Sequence, residues 1–194
     1  PNNPTGTLLT DNEIYNFLSK VPTRIPIVLD QAYYEYLDTR DQAMDWLNVF
    51  DNLIITRTFS KAYGLAGLRV GYSVSRPDIA DYINRVRAPF NVNHSAQIAA
   101  IAALNDVDYL QESVRSNTQG IKQLEECFKS LNLNYIKSSA NFIAVEFDNA
   151  LETYEKLLKE GVIVRPIEIP NFLRISVGTA EENIYLIQAL KKIL

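Results

Sequence analysis

Three short apolar runs, each separated from the next by a helical pattern or a turn, constrain the fold of this chain more than any other feature. Ile25-Pro26-Ile27-Val28-Leu29-Asp30 ends in a carboxylate, Leu53-Ile54-Ile55-Thr56-Arg57-Thr58 ends in a hydroxyl, and a third run lies between Leu68 and Val74. A strand covered on both faces reads as a near-continuous apolar stretch, whereas a strand with one wet face alternates. Runs of this kind interleaved with helices predict an α/β protein with a mainly parallel sheet.

The helices announce themselves through their caps. Thr10-Asp11-Asn12-Glu13 fits a capping box, and Ile14, Phe17, Leu18 and Val21 follow at helical spacing, so a helix is expected over about 11–20. Ser75-Arg76-Pro77-Asp78 predicts another start, with Ile79, Ile83 and Val86 on one face and Pro89 interrupting the pattern. Ser95 opens an alanine-rich helix to about Leu104. From Val107 to Leu131, apolar residues recur at Leu110, Val114, Ile121, Leu124, Phe128 and Leu131, which is one long amphipathic helix. The rest reads as strand (142–147), helix (151–159, stopped by Gly161), strand (162–164), strand (173–177) and a last helix capped by Thr179-Ala180-Glu181-Glu182. The expected division is one α/β layer system over 1–93, a connecting helix over 94–106 and a smaller α/β unit over 107–194.

Composition excludes more than it assigns. With 194 residues the chain can bury a real core. No segment approaches the ~20 unbroken apolar residues of a membrane span. Cys127 is the only cysteine, so no intrachain disulfide can form; that fits a reducing, cytoplasmic setting. On a helical stretch a lone cysteine reads as packing. The net charge of −4 argues against nucleic acid as a partner, yet it says nothing against small anions held by a few local arginines. Pro1-Asn2-Asn3-Pro4-Thr5-Gly6 is a turn-forming run with no preceding element to connect, and the chain is read as a fragment that begins at an internal loop.

The chemistry gathers where the strands end. In open α/β sheets, ligands collect outside the carboxyl ends of the strands. Asp30 sits at one such end, Thr58, Ser60 and Lys61 follow another, Asn3 lies in a turn before the first helix, and Arg69 sits among Gly64, Gly67 and Gly71, which permit close backbone approach. That set suits a phosphorylated heteroaromatic aldehyde. A deprotonated lysine forms a Schiff base with such a group, a carboxylate keeps its ring nitrogen protonated, and hydroxyls with an arginine hold its phosphate. Each residue alone has a plainer reading: Asn3 a turn residue, Asp30 a strand-end cap, Arg174 a surface ion pair and Lys61 a solvated lysine. Their order and shared end of the sheet are what favour the functional reading. His94, the only histidine, reads as a loop or cap residue.

The motifs resemble a known family. Pro1-Asn2-Asn3-Pro4-Thr5-Gly6, Asp30-Gln31-Ala32-Tyr33 and the stretch from Thr58-Phe59-Ser60-Lys61 through Arg69 to Gly71-Tyr72 are similar, in order, to signatures of class II aminotransferases, fold-type I pyridoxal-phosphate enzymes. Leu173-Arg174-Ile175-Ser176-Val177-Gly178-Thr179 is similar to the family's C-terminal arginine motif, and the details are most similar to the histidinol-phosphate branch. The resemblance implies a large-domain sheet followed by a small C-terminal α/β domain, with pyridoxal 5'-phosphate as cofactor. It implies that Lys61 holds the cofactor covalently and then moves protons as base and acid. Asp30 would pair with the ring nitrogen, Tyr33 and Asn3 with the phenolic oxygen, and Thr58, Ser60 and Arg69 with the phosphate. Arg174, helped by Arg165, would bind the substrate's anionic group. The partners implied are a small amino donor, histidinol phosphate favoured, and a 2-oxo acid, in a homodimer at full length, with no membrane or nucleic-acid partner.

The family's domain begins well before this sequence, so the chain by itself is expected to show little or no turnover. Other readings stay open at this point: an aromatic aminotransferase, a decarboxylase of a phosphorylated amino acid, a ligand-sensing domain of a transcriptional regulator, or a non-catalytic protein that inherits the fold.

Overall fold

A computed structural model of the chain describes residues 1–38 and 42–194. It divides into two compact units, one made of Leu9–Gln111 and the other of Pro1–Leu8 with Glu112–Leu194. The first residues thus belong with the C-terminal ones, a grouping that the expected boundaries at 93 and 107 do not contain.

The Leu9–Gln111 unit opens with α1 (Asp11–Leu18) and β1 (Ile27–Asp30). A 3-10 turn at Tyr34–Tyr36, α2 (Ala43–Trp46), β2 (Leu53–Thr58), a second 3-10 turn at Ala66–Leu68, β3 (Gly71–Ser75), α3 (Pro77–Val86) and α4 (His94–Asn105) follow. The helix α5 (Val107–Ser130) begins here. The capping box at α1 forms as its sequence requires: the Glu13 amide donates to Thr10 Oγ1 at 3.3 Å, and the Thr10 amide donates to Glu13 Oε2 at 2.8 Å. The helix ends at Leu18, short of the expected residue 20, because the last turn tightens to i→i+3 bonds, Lys20 to Phe17 and Val21 to Leu18.

The sheet of this unit runs β1-β2-β3. β1 and β2 are parallel, with Ile27 opposite Leu53 and Asp30 opposite Thr56. β3 is antiparallel to β2, which corrects the parallel reading of the third apolar run. A parallel return needs a crossover long enough to recross the sheet, usually a helix. Between Thr58 and Gly71 there is one 3-10 turn and no α-helix, so the chain folds straight back. Leu18, Ala43, Trp46, Leu53 and Ile55 are buried together, with Tyr15 set edge-on to Trp46 and Phe50. A second cluster joins Phe59 and Val70 to Ala96 and Ala100 of α4.

The other unit contains β4 (Tyr135–Ile136), β5 (Phe142–Glu146), α6 (Ala150–Lys159), β6 (Arg165–Pro166), β7 (Phe172–Ser176) and α7 (Ala180–Ile193). Its sheet, in the order β4-β5-β7-β6, is antiparallel throughout. Leu124 and Phe128 of α5, Ile143 and Val145 of β5, Leu157 of α6 and Leu173 and Ile175 of β7 form its core with Leu186 and Leu190 of α7. The strand expected at Val162–Val164 is displaced to Arg165–Pro166. Gly161, at φ +77°, closes α6 in a Schellman turn, with its amide bonded to Leu158 and the Val162 amide to Leu157, and pairing with β7 begins only after that turn is complete. Cys127 is buried, and burial pushes its thiol pKa up, in keeping with a packing residue. Among the described residues no helix is long and apolar enough to cross a membrane.

Pro1–Leu8 is tied into this unit through Gly6, whose carbonyl accepts from the Ser139 amide at 2.9 Å. At φ +74°, and with Ser138 Oγ 2.1 Å from where a Cβ would sit, position 6 admits only glycine.

Candidate active site

In the Leu9–Gln111 unit, the parallel pairing of β1 and β2 sets their carboxyl ends side by side, so Asp30 and the Thr58–Lys61 segment leave the sheet at the same end. Asp30 is exposed, and its Oδ1 accepts from the Ala32 amide at 3.0 Å, an Asx turn that bends the chain into buried Tyr33. Lys61 Nζ lies 5.2 Å from the Tyr33 ring centroid. That is cation–π range, and among the described residues no carboxylate pairs with this amine. The Ser60 amide donates to Thr58 Oγ1 at 3.0 Å.

Phe59 explains why Ser60 and Lys61 stay accessible. It is 4% exposed, packs against Tyr63 and Tyr72, donates its amide to Val70 and accepts from the Leu65 amide. The loop is thus folded onto Phe59 and leaves its neighbours half-buried. Arg69 adopts a left-handed backbone, φ 57°, and its Nη1 donates to the Ala66 carbonyl at 2.8 Å. A non-glycine residue there carries a cost of roughly 1–2 kcal/mol. Gly71 is required by the chain rather than by a ligand, since a Cβ would stand 2.6 Å from the Arg57 carbonyl oxygen; Gly67 has nothing within 4 Å.

The other unit holds Asn3, Arg165 and Arg174. Arg174, on β7, donates from Nη1 to Asn3 Oδ1 at 2.8 Å and lies 4.9 Å from the Phe142 ring centroid. Arginine only donates, so the amide oxygen of Asn3 must face it, which leaves Asn3 Nδ2 as a donor for another acceptor. Arg174 Nε is buried with no hydrogen-bond partner. Arg165 stands directly opposite Arg174 in the β6–β7 register. Two like charges at opposed positions repel, and an anion shared between them would remove that cost. His94, expected in a loop or at a helix cap, is the exposed first residue of α4, and Asn93 is the cap.

Sequence reasoning missed a cluster beside Asp30. Arg57 donates from Nε at 3.0 Å and from Nη2 at 2.8 Å to Gln31 Oε1, and its guanidinium lies 4.1 Å from the Tyr34 ring centroid. Burial raises the Glu35 carboxyl pKa, its own backbone hydrogen bond and nearby Arg57 oppose the rise, and its Oε2 has no hydrogen-bond partner. Burial, then Glu35 and Tyr72, also raise the Tyr63 phenol. The available signal was Arg57 itself, the one charged residue inside the second apolar run.

The fold and the strand-end lysine define an α/β protein whose candidate site residues Asp30 and Lys61 stand at the carboxyl ends of its parallel strands. Residues 1–190 match the model of the family aminotransferase class I and II, and the chain belongs to that family. It is 50% identical to a histidinol-phosphate aminotransferase of Methylobacillus flagellatus over all of this chain and 54% of that protein. Among solved structures, it matches a histidinol-phosphate aminotransferase from Clostridium acetobutylicum with TM-score 0.92 and 26% identity, over 100% of this chain and 61% of that one. It also matches one from Sinorhizobium meliloti solved with pyridoxal-5'-phosphate, with TM-score 0.88 and 30% identity, over 99% of this chain and 55% of that one. The chain spans about half the length of the curated relatives it matches.

Proposed function

We propose that the complete protein is a pyridoxal-phosphate-dependent aminotransferase that moves an amino group between histidinol phosphate and the 2-oxoglutarate/glutamate pair, a step of histidine biosynthesis. The observation that carries the reading is the pairing of β1 with β2, which brings Asp30 and the Lys61 loop to one end of the sheet. The donor set fits the cofactor: an amine with no carboxylate partner among the described residues, an exposed carboxylate, two hydroxyls and a guanidinium. When bound, the cofactor supplies an electron sink for bonds broken at the substrate's α-carbon.

This chain's residues do the rest. Lys61 Nζ holds the cofactor and then carries the proton to and from the α-carbon. By the family resemblance, Asp30 would hold the ring nitrogen's proton, Tyr33 and Asn3 would serve the phenolic oxygen, and Thr58, Ser60 and Arg69 would hold the phosphate. Arg174 and Arg165 bind the substrate anion. Their opposed positions on β6 and β7 favour a phosphate, whose higher charge balances two guanidinium groups better than a carboxylate does. We further read the large domain as 1–93, the helix over 94–106 as its connection to a small domain over 107–194, and the complete protein as a cytoplasmic homodimer acting on small molecules.

The test is borohydride reduction of the complete protein with pyridoxal phosphate, followed by peptide mapping. Label at Lys61 is expected, and label at any other residue overturns the assignment. A substrate panel then compares histidinol phosphate with aromatic amino acids, and a preference for the aromatic set would overturn the substrate. The 194-residue chain alone, mixed with pyridoxal phosphate and glutamate, should form no 2-oxoglutarate.

A further inference from the structure

We propose that Arg57 is a positioning residue: it clamps the turn that carries Asp30 and Tyr33 onto the strand end that leads to Lys61. The proposal rests on the cofactor reading above. Arg57 is the penultimate residue of β2 and precedes the Thr58–Lys61 segment directly. Its Nε and Nη2 both donate to Gln31 Oε1, at 3.0 and 2.8 Å, and its guanidinium lies 4.1 Å from the Tyr34 ring centroid. The backbone adds one tie, from the Gln31 amide to the Thr56 carbonyl at 2.9 Å. The turn from Gln31 to Tyr34 is therefore fastened to β2 at both ends, with Asp30 immediately before it and Tyr33 within it.

Asp30 needs such a fastening. It is exposed, so packing does not fix its carboxylate, and its own Asx bond to Ala32 moves with the turn. A planar fork that serves one acceptor through two nitrogens and stacks on a ring is geometry that lysine cannot reproduce. Glu35 and Tyr63 face the same guanidinium, and the positive charge counters the rise that burial imposes on both. With the clamp gone, Asp30 would hold a cofactor's ring-nitrogen proton less firmly, and Lys61, losing that neighbouring positive charge, would bind its own proton more readily.

The experiment uses the complete protein loaded with pyridoxal phosphate and follows the bound cofactor's absorbance against pH. Arg57→Met and Gln31→Leu should each raise the titration midpoint by about one pH unit, a tenfold change in the protonation constant. The double variant should match Arg57→Met, because the contact that Gln31→Leu removes is already lost with the guanidinium. Should Arg57→Met fail to fold, Gln31→Leu decides, since it removes the acceptor and keeps the guanidinium. Label at Lys61 with unmoved midpoints, alongside lowered melting of the cofactor-free variants, would make Arg57 merely structural and overturn the clamp. No label at Lys61 in the parent would overturn the cofactor reading, and the clamp with it.

Discussion

Replacing Arg174 with leucine should separate two quantities that a buried arginine usually couples: fold stability and ligand affinity. In the folded chain, Nε is buried without an acceptor, a condition that costs about 1–3 kcal/mol. Leucine relieves it. The same change forfeits the 2.8 Å bond from Nη1 to Asn3, worth about 0.5–1.5 kcal/mol, and the cation–π contact with Phe142, worth roughly 0.5–1 kcal/mol. Gains and losses nearly cancel, and urea denaturation of the cofactor-free protein should shift by no more than about 1.5 kcal/mol. Binding has no such offset. A charge-assisted bond to a substrate phosphate is worth about 1.5–3 kcal/mol, which is roughly 10- to 150-fold in affinity at 1.4 kcal/mol per tenfold. The assay compares KM for histidinol phosphate with the apparent Kd for pyridoxal phosphate in the complete protein. Equal loss of both would refute the substrate role, and so would equal weakening of phosphorylated and unphosphorylated substrates.

Three other perturbations test the fold. Leu173→Ala empties a fully buried site between β5 and the helices of its unit and should cost about 2–5 kcal/mol in urea denaturation; a loss under about 1 kcal/mol would mean the core collapses to fill it. Thr179→Ala removes the hydroxyl that accepts from the Glu182 amide at 3.2 Å and should cost about 1 kcal/mol, with no loss if solvent caps α7 as well. Glu35→Gln tests a titration. Burial holds the Glu35 carboxyl above its ordinary 4.5 in the fold, so the folded chain keeps this proton to higher pH than the unfolded chain does. Its contribution to stability is full below 4.5 and is lost as pH rises through the raised value. Glutamine cannot titrate, so the decline in urea midpoint between 4.5 and the raised value should flatten in the variant, and parallel slopes in parent and variant would refute it.

What the sequence disclosed was mostly local. The threonine–glutamate spacings at Thr10 and Thr179 were legible as helix starts because a capping box closes within four residues, and both boxes form. Apolar runs marked β1, β2 and β7 by residue type, although burial alternates along them: Val28 of β1 and Ser176 of β7 are exposed, and Leu53 and Ile55 of β2 are buried on either side of half-buried Ile54. The direction of β3 was not legible, since it depends on what the intervening loop can span. Nor was the β6–β7 register, although it decides that Arg165 opposes Arg174: a slip of one residue would send one of them to the other face. The short elements α2 and β4 carry too few residues to show a period. Of the candidate site, Lys61 and Asp30 were readable from motif order, whereas Arg57 read as an ordinary strand-end charge until Gln31 and Tyr34 were seen around it.

The two arginines show what hydrogen-bond accounting adds to a motif. Both lie on strands over an aromatic ring, and by residue type they are interchangeable. Arg57 spends Nε and Nη2 on Gln31, an internal acceptor, and so acts on the chain itself. Arg174 keeps Nε buried and unmatched, with a second guanidinium-bearing residue opposite it. An unmatched buried donor beside a like charge calls for an explanation, and an anion that draws the guanidinium toward it would supply one. On that difference rest the proposals that Arg57 positions and Arg174 binds, and it predicts opposite responses to ligand in the complete protein: anionic substrate should protect the Arg174 strand from hydrogen exchange and leave the Arg57–Gln31 turn unchanged.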